Sequence, residues 1–316
     1  MNESFVSHFS YALGDVTNTV WQSAAGGLLH SAPELLQQAG FARHHICEAD
    51  TNAYELARRA VGSIEGFIGD VDAIVYSTCI PINGNVGSFD SYRETRDVKH
   101  LMDFPASRLQ SEFSLAKAMV IGINQQACTG MLGSLYLAKI MIAGDSRVKR
   151  VLCITADRFP ERSIYEQAYN LISDGAAACV VSTEPEGFRI LTGHAVTNGA
   201  LSFASDDETV GNFFNYSHRV IHDTIEKAGL TINDIDWIVP QNTNDVAWQI
   251  LSKLLPFDPE HVYHPTLGDV GHVISGDNII NLKHLADSDV VQKGEKVLLF
   301  MAGYGLNWQS VILEKV

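Results

Sequence analysis

The stretch "NQQACTGMLGSLYLAKIMIAG", residues 124–144, decides the fold of this chain. It follows a short apolar run, opens with three polar residues and continues as an almost wholly apolar segment of helical length. The pattern predicts a buried strand, a tight turn and a central helix, with Cys128 at the N-terminus of that helix. Strand-turn-helix units of this kind are typical of α/β proteins.

A cysteine at a helix N-terminus lies where partial positive charge and unpaired backbone N–H groups stabilise a thiolate and can bind an oxyanion. Cys128 is therefore a candidate nucleophile. Free cysteines also serve as small buried hydrophobic residues. The position of Cys128 alone leaves both interpretations open.

Short apolar runs recur along the chain and are separated by longer helical patterns. The runs span residues 72–79, 118–124, 150–156, 176–182, 236–242 and 296–302. Strands that are apolar throughout are typical of a sheet covered by helices on both faces. The sequence therefore predicts an α/β fold.

Parts of the first half of the sequence are echoed in the second half. The echoed pairs are residues 57–79 with 217–242, and residues 149–157 with 295–303. Such repetition predicts two similar α/β halves, residues 1–185 and residues 186–316, with unequal loops. The boundary is expected near residues 183–190.

The repeat draws attention to His272, which lies in "GDVGHVISGDNIINL". His272 precedes its strand in the second half at about the distance by which Cys128 precedes its strand in the first half. Histidine is the usual partner that raises thiolate character and moves protons. A lone histidine is more often a surface or core residue, but its mirrored placement favours a Cys128–His272 dyad.

The charge balance and the cysteine spacing exclude several classes of function. The chain has 316 residues and a formal charge of −15, from 22 basic and 37 acidic residues, so we expect no nucleic-acid partner. Its five cysteines lie far apart without a C-x-x-C pair, which argues against a disulfide framework and a metal site. No stretch has the uncharged length of a membrane span, and the first residues do not resemble a signal peptide. We expect a cytoplasmic protein.

Segments along the whole chain carry a resemblance to a known family. They are residues 40–61, "DFPASRLQ" (103–110), "QQACTGMLGSLYLA" (125–138), "ISDGAAACVVS" (172–182), "IDWIVPQNTN" (235–244) and "AGYGLNW" (302–308). Together they resemble the thiolase superfamily, and within it the β-ketoacyl-acyl-carrier-protein synthase III group of condensing enzymes and related acyltransferases. The segment around Cys128 is similar to the family's A-C-x-G nucleophile motif.

The resemblance implies a thiolase-like fold, in which two halves with central mixed sheets are sandwiched by helices in an αβαβα order. It also implies an acyl-enzyme formed on Cys128 from an acyl thioester. The family's catalytic histidine follows V-P, where this chain has Gln241, and the family's asparagine corresponds to His272. The usual Cys-His-Asn set therefore looks replaced by a Cys128–His272 dyad with Gln241 beside it.

The C-terminal glycine-rich loop carries the implied oxyanion hole. The resemblance assigns one N–H donor to the backbone of Cys128 and the other to Tyr304, which Gly303 and Gly305 flank. Two glycines around one residue are also what a plain tight turn requires.

The resemblance further implies a thioester donor carried by coenzyme A or by the phosphopantetheine of an acyl-carrier protein, which is a substrate carrier and not a cofactor. Asn242 and Asn244 are candidate substrate-binding residues. The family's adenine-binding tryptophan and arginine have no counterparts here. Arg158 lies near enough in sequence to be a candidate substitute.

Several alternatives stay open. The acyl group is passed to a second small-molecule substrate, by decarboxylative condensation or by direct transfer to an O, N or C nucleophile. A Cys-His dyad also permits thioester hydrolysis, and a non-catalytic partner subunit would keep the fold alone. Members of this superfamily usually dimerise, so a dimer is expected, either with itself or with a related chain.

Overall fold

The computed structural model describes residues 2–80, 89–304 and 307–316, which contain thirteen strands and ten α-helices. The strands are β1 (Phe5–Leu13), β2 (Val16–Thr19), β3 (Arg43–Ile46), β4 (Ala73–Ser77), β5 (Met119–Ile123), β6 (Arg150–Asp157), β7 (Glu166–Gln167), β8 (Asn170–Leu171), β9 (Gly175–Ser182), β10 (Phe188–Thr197), β11 (Trp237–Pro240), β12 (Lys296–Gly303) and β13 (Asn307–Lys315). The helices are α1 (Val20–Ala25), α2 (Pro33–Gln38), α3 (Ala53–Gly62), α4 (Phe89–Thr95), α5 (Pro105–Glu112), α6 (Gly130–Gly144), α7 (Asp206–Lys227), α8 (Asp245–Leu254), α9 (Leu267–Val270) and α10 (Asp277–Asp287). All six predicted apolar strands are present, as β4, β5, β6, β9, β11 and β12. The expected burial of the strand before Cys128 is wrong, because β5 lies at an edge of the sheet and its residues are half-buried or exposed.

Nine strands form one sheet in the order β11-β12-β13-β10-β1-β9-β6-β4-β5. In the first half, β4 runs parallel to β6, and β6 runs antiparallel to β9. In the second half, β11 runs parallel to β12, and β12 runs antiparallel to β13. The halves meet where β1 pairs with β10. A parallel pair followed by an antiparallel pair thus occurs twice in the sheet.

The sheet folds around a central layer made by α6 and α10. Along β6, Val151 and Cys153 face this central layer, whereas Leu152 and Ile154 pack in the cluster that contains α3 and α5. The second half repeats the alternation, because the inner face of β12 meets the central layer and its outer face packs against α7 and α8. Since side chains alternate across a strand, both faces are apolar. The layered αβαβα order is confirmed.

Helix α6 is apolar on nearly every side because it lies between both halves of the sheet. The segment Ala127–Gly144, which contains it, has a mean hydropathy of 1.3 and meets a length-and-composition test for a membrane span. From the sequence we expected no segment of this length and composition. A core helix passes the same test, and 56% of this segment is buried inside the protein.

Candidate active site

Cys128 lies in a single 3₁₀ turn, Ala127–Thr129, directly before α6. The hydroxyl of Thr129 donates to the carbonyl of Gln126 over 2.7 Å, and Ala127 has a φ of +45°. A positive φ at a residue with a side chain is uncommon and bends the chain sharply. The turn presents the thiol of Cys128, which is 7% exposed, to an adjacent cavity. The predicted placement at a helix N-terminus is confirmed.

His272 reaches the same cavity from the loop between α9 and α10. A placement mirroring that of Cys128 would put a strand before His272, but the structure has the short helix α9 and a turn at Gly271, whose φ is +69°. A Cβ at Gly271 would lie 3.0 Å from the carbonyl oxygen of Leu171, so glycine is required there on two counts. The turn brings the imidazole of His272 to the sulfur of Cys128.

A buried carboxylate holds the other side of that imidazole. Nδ1 of His272 lies 2.5 Å from Oδ2 of Asp277, the first residue of α10. The carboxylate also accepts the backbone N–H groups of Asn242, at 2.7 Å, and Val273, at 2.6 Å. Asp277 has no solvent exposure, so these three donors account for its charge. The arrangement leaves Nε2 of His272 to face Cys128.

The charges of this triad support one another. Burial acts to lower the pKa of His272, but Asp277 and the contact with Cys128 outweigh it and raise the pKa to about 10. The pKa of Cys128 is lowered well below its usual value by a hydrogen bond from the thiol of Cys79, against its burial, and then by His272 and the backbone N–H of Tyr304. The resting pair is therefore a thiolate and an imidazolium.

Gln241 follows β11 and lies at the floor of the cavity. Its side-chain oxygen accepts the backbone N–H of Ala302, and its own backbone N–H donates to Phe300 over 3.1 Å. With the oxygen held in this way, the NH₂ group is the part of the amide that can donate to a bound molecule. Gln241 can position a carbonyl but cannot take up a proton.

The glycine-rich loop approaches Cys128 from the end of β12. The backbone N–H of Tyr304 donates to the sulfur of Cys128. A Cβ at Gly303 would lie 3.0 Å from the Cβ of Ala127 and 3.2 Å from the backbone nitrogen of Cys128, so glycine is what allows this approach. Gly305, the other glycine named from the sequence, lies outside the described residues.

The cavity at these residues has a volume of about 240 Å³. Its floor is formed by Cys128, Gln241 and His272, and its walls come from the β7–β8 hairpin, α7 and α8. The apolar wall residues include Val210, Phe213, Phe214, Val246, Ala247, Ile250 and Trp308. Such a lining suits a mostly apolar group whose reactive end meets Cys128, Gln241 and His272.

Comparison with known proteins identifies the family. The models for 3-oxoacyl-[acyl-carrier-protein] synthase III and for its C-terminal part match residues 123–199 and residues 225–315, which together make up more than half of the chain. The β-ketoacyl-[acyl-carrier-protein] synthase III of Chlamydia caviae is 30% identical over 243 residues, 67% of this chain and 72% of that protein. The chain belongs to the synthase III family.

Solved structures agree with this synthase III assignment. The 3-oxoacyl-(acyl carrier protein) synthase III of Pseudomonas aeruginosa superposes with a TM-score of 0.82 at 19% identity, over 99% of this chain and 98% of that chain. A protein named ChlB3 and described as an acyltransferase gives a TM-score of 0.82 at 18% identity, over 99% and 98%. The fold is thiolase-like, and the chain is an acyltransferase-type enzyme of the condensing-enzyme family.

In this synthase III member, the two asparagines named from the sequence have different surroundings. Asn244 lines the cavity and caps α8, because its side-chain oxygen accepts the N–H of Val246 over 2.9 Å. Asn242 is fully buried, and its amide donates to the carbonyl of Gly271 over 2.7 Å. Asn242 is not among the described residues that line the cavity. Its side chain stabilises the loop that carries His272 and does not border the cavity.

Arg158 is not brought to the cavity either. Its side chain is buried, and its Nη2 donates to the carbonyl of Glu48 over 3.3 Å. It also acts to lower the pKa of the buried Asp174 nearby. Arg158 therefore packs in the interior of the first half of the protein.

Two residues that contact the catalytic pair were not predicted from the sequence, Asp277 beside His272 and Cys79 beside Cys128. Asp277 lies five residues after His272 at the start of a helix. An acidic residue this close in sequence to a candidate catalytic histidine could have been recognised as its partner. Cys79 follows β4, and its side chain interacts with that of Cys128. No spacing rule points to Cys79, because only the packing of β4 against the start of α6 brings the two thiols together.

Proposed function

We propose that this enzyme takes an acyl group from a thioester onto Cys128 and passes it to an acceptor that His272 deprotonates. The acceptor is an alcohol, an amine or a carbon acid. The observation that carries the proposal is the 2.5 Å contact between His272 and the buried Asp277. A carboxylate behind an imidazole fixes its orientation and stabilises the imidazolium that forms when it accepts a proton.

In the first half-reaction, the thiolate of Cys128 attacks the carbonyl carbon of the donor thioester. The backbone N–H groups of Cys128 and Tyr304 stabilise the oxyanion that forms. The C–S bond to the donor then breaks, and the departing thiolate takes the proton held on His272. The products are an acyl-Cys128 and a neutral imidazole.

In the second half-reaction, the neutral His272 is ready to act as a general base. The acceptor attacks the acyl-Cys128 carbonyl while its proton moves to Nε2 of His272. The Cys128 thiolate leaves, and the starting ion pair is restored. Gln241 supports this step by donating its NH₂ group to a substrate carbonyl.

Decarboxylative condensation, the alternative, makes less use of this arrangement. Loss of CO₂ creates the attacking carbanion without removal of a proton. His272 therefore takes up no proton in that reaction, and the buried carboxylate of Asp277 has no newly formed imidazolium to stabilise. Two donors on the thioester carbonyl suffice for that reaction, and Gln241 and His272 can supply them. Release of CO₂ therefore separates the two chemistries.

The donor is a thioester of coenzyme A or of carrier-protein phosphopantetheine, whose arm would fill the apolar cavity and reach Cys128. Asn244, on the cavity wall, is the remaining candidate for binding the arm. No resident cofactor is required by this chemistry. A cytoplasmic location and a dimer, with itself or with a related chain, are parts of the same proposal.

Intact-protein mass after incubation with a panel of acyl-CoA and acyl-carrier-protein thioesters tests the proposal. We expect one acyl addition, absent from Cys128→Ala and retained in the matched control Cys153→Ala, which changes a buried strand cysteine. The acyl-enzyme should be stable in buffer and should decay when an alcohol, amine or carbon-acid acceptor is added. Rapid decay in buffer alone would indicate a hydrolase. CO₂ release with a malonyl thioester would indicate condensation, and no acyl addition with any donor would overturn the proposal.

A further inference from the structure

The turn after β4 lies directly against the turn that carries the nucleophile. The side chains of Cys79 and Cys128 interact, and Cys79 packs against the buried cluster to which Cys128 belongs. The backbones are also close, because a Cβ at Gly130 would lie 3.0 Å from the Cβ of Ser77. Two thiols from distant parts of the chain are thus held in contact.

A buried carboxylate fixes the position of Cys79. Oδ1 of Asp157 accepts the hydroxyl of Thr78 at 2.7 Å, the backbone N–H of Cys79 at 2.9 Å and the backbone N–H of Ile80 at 3.0 Å. Asp157 is 3% exposed. The backbone of Cys79 is therefore held in place, although the residue lies in a bend and not in a helix or strand.

We infer that Cys79 is a resolving cysteine, which forms a reversible disulfide with Cys128 when the enzyme meets a hydroperoxide. The disulfide switches acyl transfer off and shields the nucleophile from irreversible oxidation. The inference goes beyond the proposed function, because it needs the thiol pair and neither a donor nor an acceptor.

The oxidation proceeds in two steps. The thiolate of Cys128 attacks one oxygen of the peroxide, the O–O bond breaks, and hydroxide or an alkoxide leaves and takes a proton from water. The sulfur of Cys128 is then a sulfenic acid. The sulfur of Cys79 attacks it, the S–O bond breaks, and the hydroxyl leaves as water with the Cys79 proton. A dithiol reductant cleaves the disulfide by thiol–disulfide exchange, is itself oxidised to a disulfide, and returns both cysteines to thiols.

The charge of Cys128 controls when Cys79 reacts. The pKa of Cys79 is raised first by its hydrogen bond to Cys128, then by burial and by the neighbouring charges. A sulfenic acid carries no charge, so its formation removes the contribution of the thiolate. Cys79 thus becomes a better nucleophile only after Cys128 has been oxidised.

A second thiol pair in this protein provides an internal comparison. Cys153 and Cys179 lie opposite each other on β6 and β9, and neither has any solvent exposure. Burial raises the pKa of Cys179. Because reactivity follows thiolate character and access, this pair should stay reduced under peroxide. Cys79, by contrast, is partly exposed.

The test treats the whole protein with hydrogen peroxide, blocks remaining thiols with N-ethylmaleimide and maps peptides by mass. Wild type should lose about 2 Da and yield a peptide that joins residues 79 and 128, and dithiothreitol should reverse both changes. Cys79→Ser should instead gain about 16 or 32 Da at Cys128 and should lose recoverable Cys128 thiol about tenfold faster. Cys153→Ala should behave as wild type.

The linked peptide is sought in wild type, so the inference does not depend on how Cys79→Ser folds. Two results would overturn it. One is a wild-type Cys128 that proceeds to the sulfinic acid as fast as that of Cys79→Ser. The other is a 2-Da loss, about the mass of two hydrogens, that maps to Cys153 and Cys179.

Discussion

Nδ1 of His272 lies 2.5 Å from Oδ2 of Asp277, and the two side chains are 6% and 0% exposed. The pair places the imidazole of His272, which can accept a proton, beside Cys128. The carboxylate of Asp277 stabilises the imidazolium that results. Removing either side chain leaves the other buried without its charged partner. Variants at the two positions should therefore impair different steps of the reaction, and not only differ in how much activity they lose.

The carboxylate of Asp277 should be required for transfer more than for binding. Asp277→Asn keeps the shape but cannot stabilise an imidazolium, so we expect a loss in kcat on the order of 10²- to 10⁴-fold with little change in KM. Single-turnover decay of the acyl-enzyme with acceptor measures this loss, and Asp277→Glu should restore part of it. The control is Asp269→Asn, an exposed acid of α9. A kcat within about twofold of wild type would remove Asp277 from the mechanism.

The Cys128–His272 ion pair should be visible in the pH dependence of alkylation. The pKa of Cys128 is lowered and that of His272 is raised to about 10, so the alkylation rate of wild type should be flat across neutral pH. His272→Ala should shift the alkylation profile of Cys128 to higher pH and slow both half-reactions. Gln241→Ala should leave the profile unchanged and slow only transfer, by roughly 1–3 kcal/mol. Iodoacetamide kinetics between pH 5 and 10 report the profile, and an unshifted His272→Ala refutes the dyad.

The role of Tyr304 should lie in its backbone and not in its phenol. Tyr304→Phe keeps the N–H that donates to Cys128 and should be nearly silent, whereas Tyr304→Pro removes that donor. Loss of one oxyanion-hole donor slows acylation about 10²- to 10³-fold. Rapid-quench acylation by an acyl-CoA gives both rates. A large effect in Tyr304→Phe would assign the function to the hydroxyl.

The close approach of the glycine loop should not tolerate a methyl group. In Gly303→Ala the new Cβ would lie 3.0 to 3.2 Å from atoms of Ala127, Gln126 and Cys128, so the loop or the nucleophile turn must move. We expect acylation to slow on the order of 10²-fold. Gly66→Ala, whose Cβ meets nothing within 4 Å, is the matched control. Equal acylation rates in the two variants would show that the approach is not needed.

Asp157 should make the stability of the protein fall as pH rises. Burial raises its pKa from 3.8 to about 7, against the hydrogen bonds from Thr78, Ile80 and Cys79. Between these two values the folded state holds a proton that the unfolded state has lost, so the free energy of unfolding decreases with pH across this window. Asp157→Asn lacks this contribution and should show a shallower dependence. Urea unfolding of both proteins from pH 4 to 8 measures the slopes, and parallel slopes contradict the prediction.

Local patterns were enough to predict much of the fold. The six apolar runs became strands. Five of them are largely buried, whereas β5 forms an edge of the sheet and has no buried residue. Helix α6 follows from an apolar segment that begins at a turn. Cys128, His272 and Gln241 were also expected near one another, and the structure brings them to one cavity floor. These inferences depend on periodicity and on family motifs, which are both written in short stretches of sequence.

The remaining features depend on packing between distant segments. Asn242 was predicted to bind substrate, yet its side-chain amide is hydrogen-bonded to Gly271, Thr266 and Asn281 in the interior. Cys79 meets Cys128 only because β4 lies beside the start of α6. No periodicity encodes such contacts, since each is set by how whole layers stack.

The residues of the site are widely separated along the chain, and more than half of the sequence lies between Cys128 and Tyr304. Closing so long a loop is entropically costly and slow, and it is completed only when the last two strands pair with the rest of the sheet. Enzyme activity should consequently be among the last properties to return on refolding and among the first to disappear when β12 and β13 detach. Measuring enzyme activity therefore reports whether the entire chain has reached its native topology.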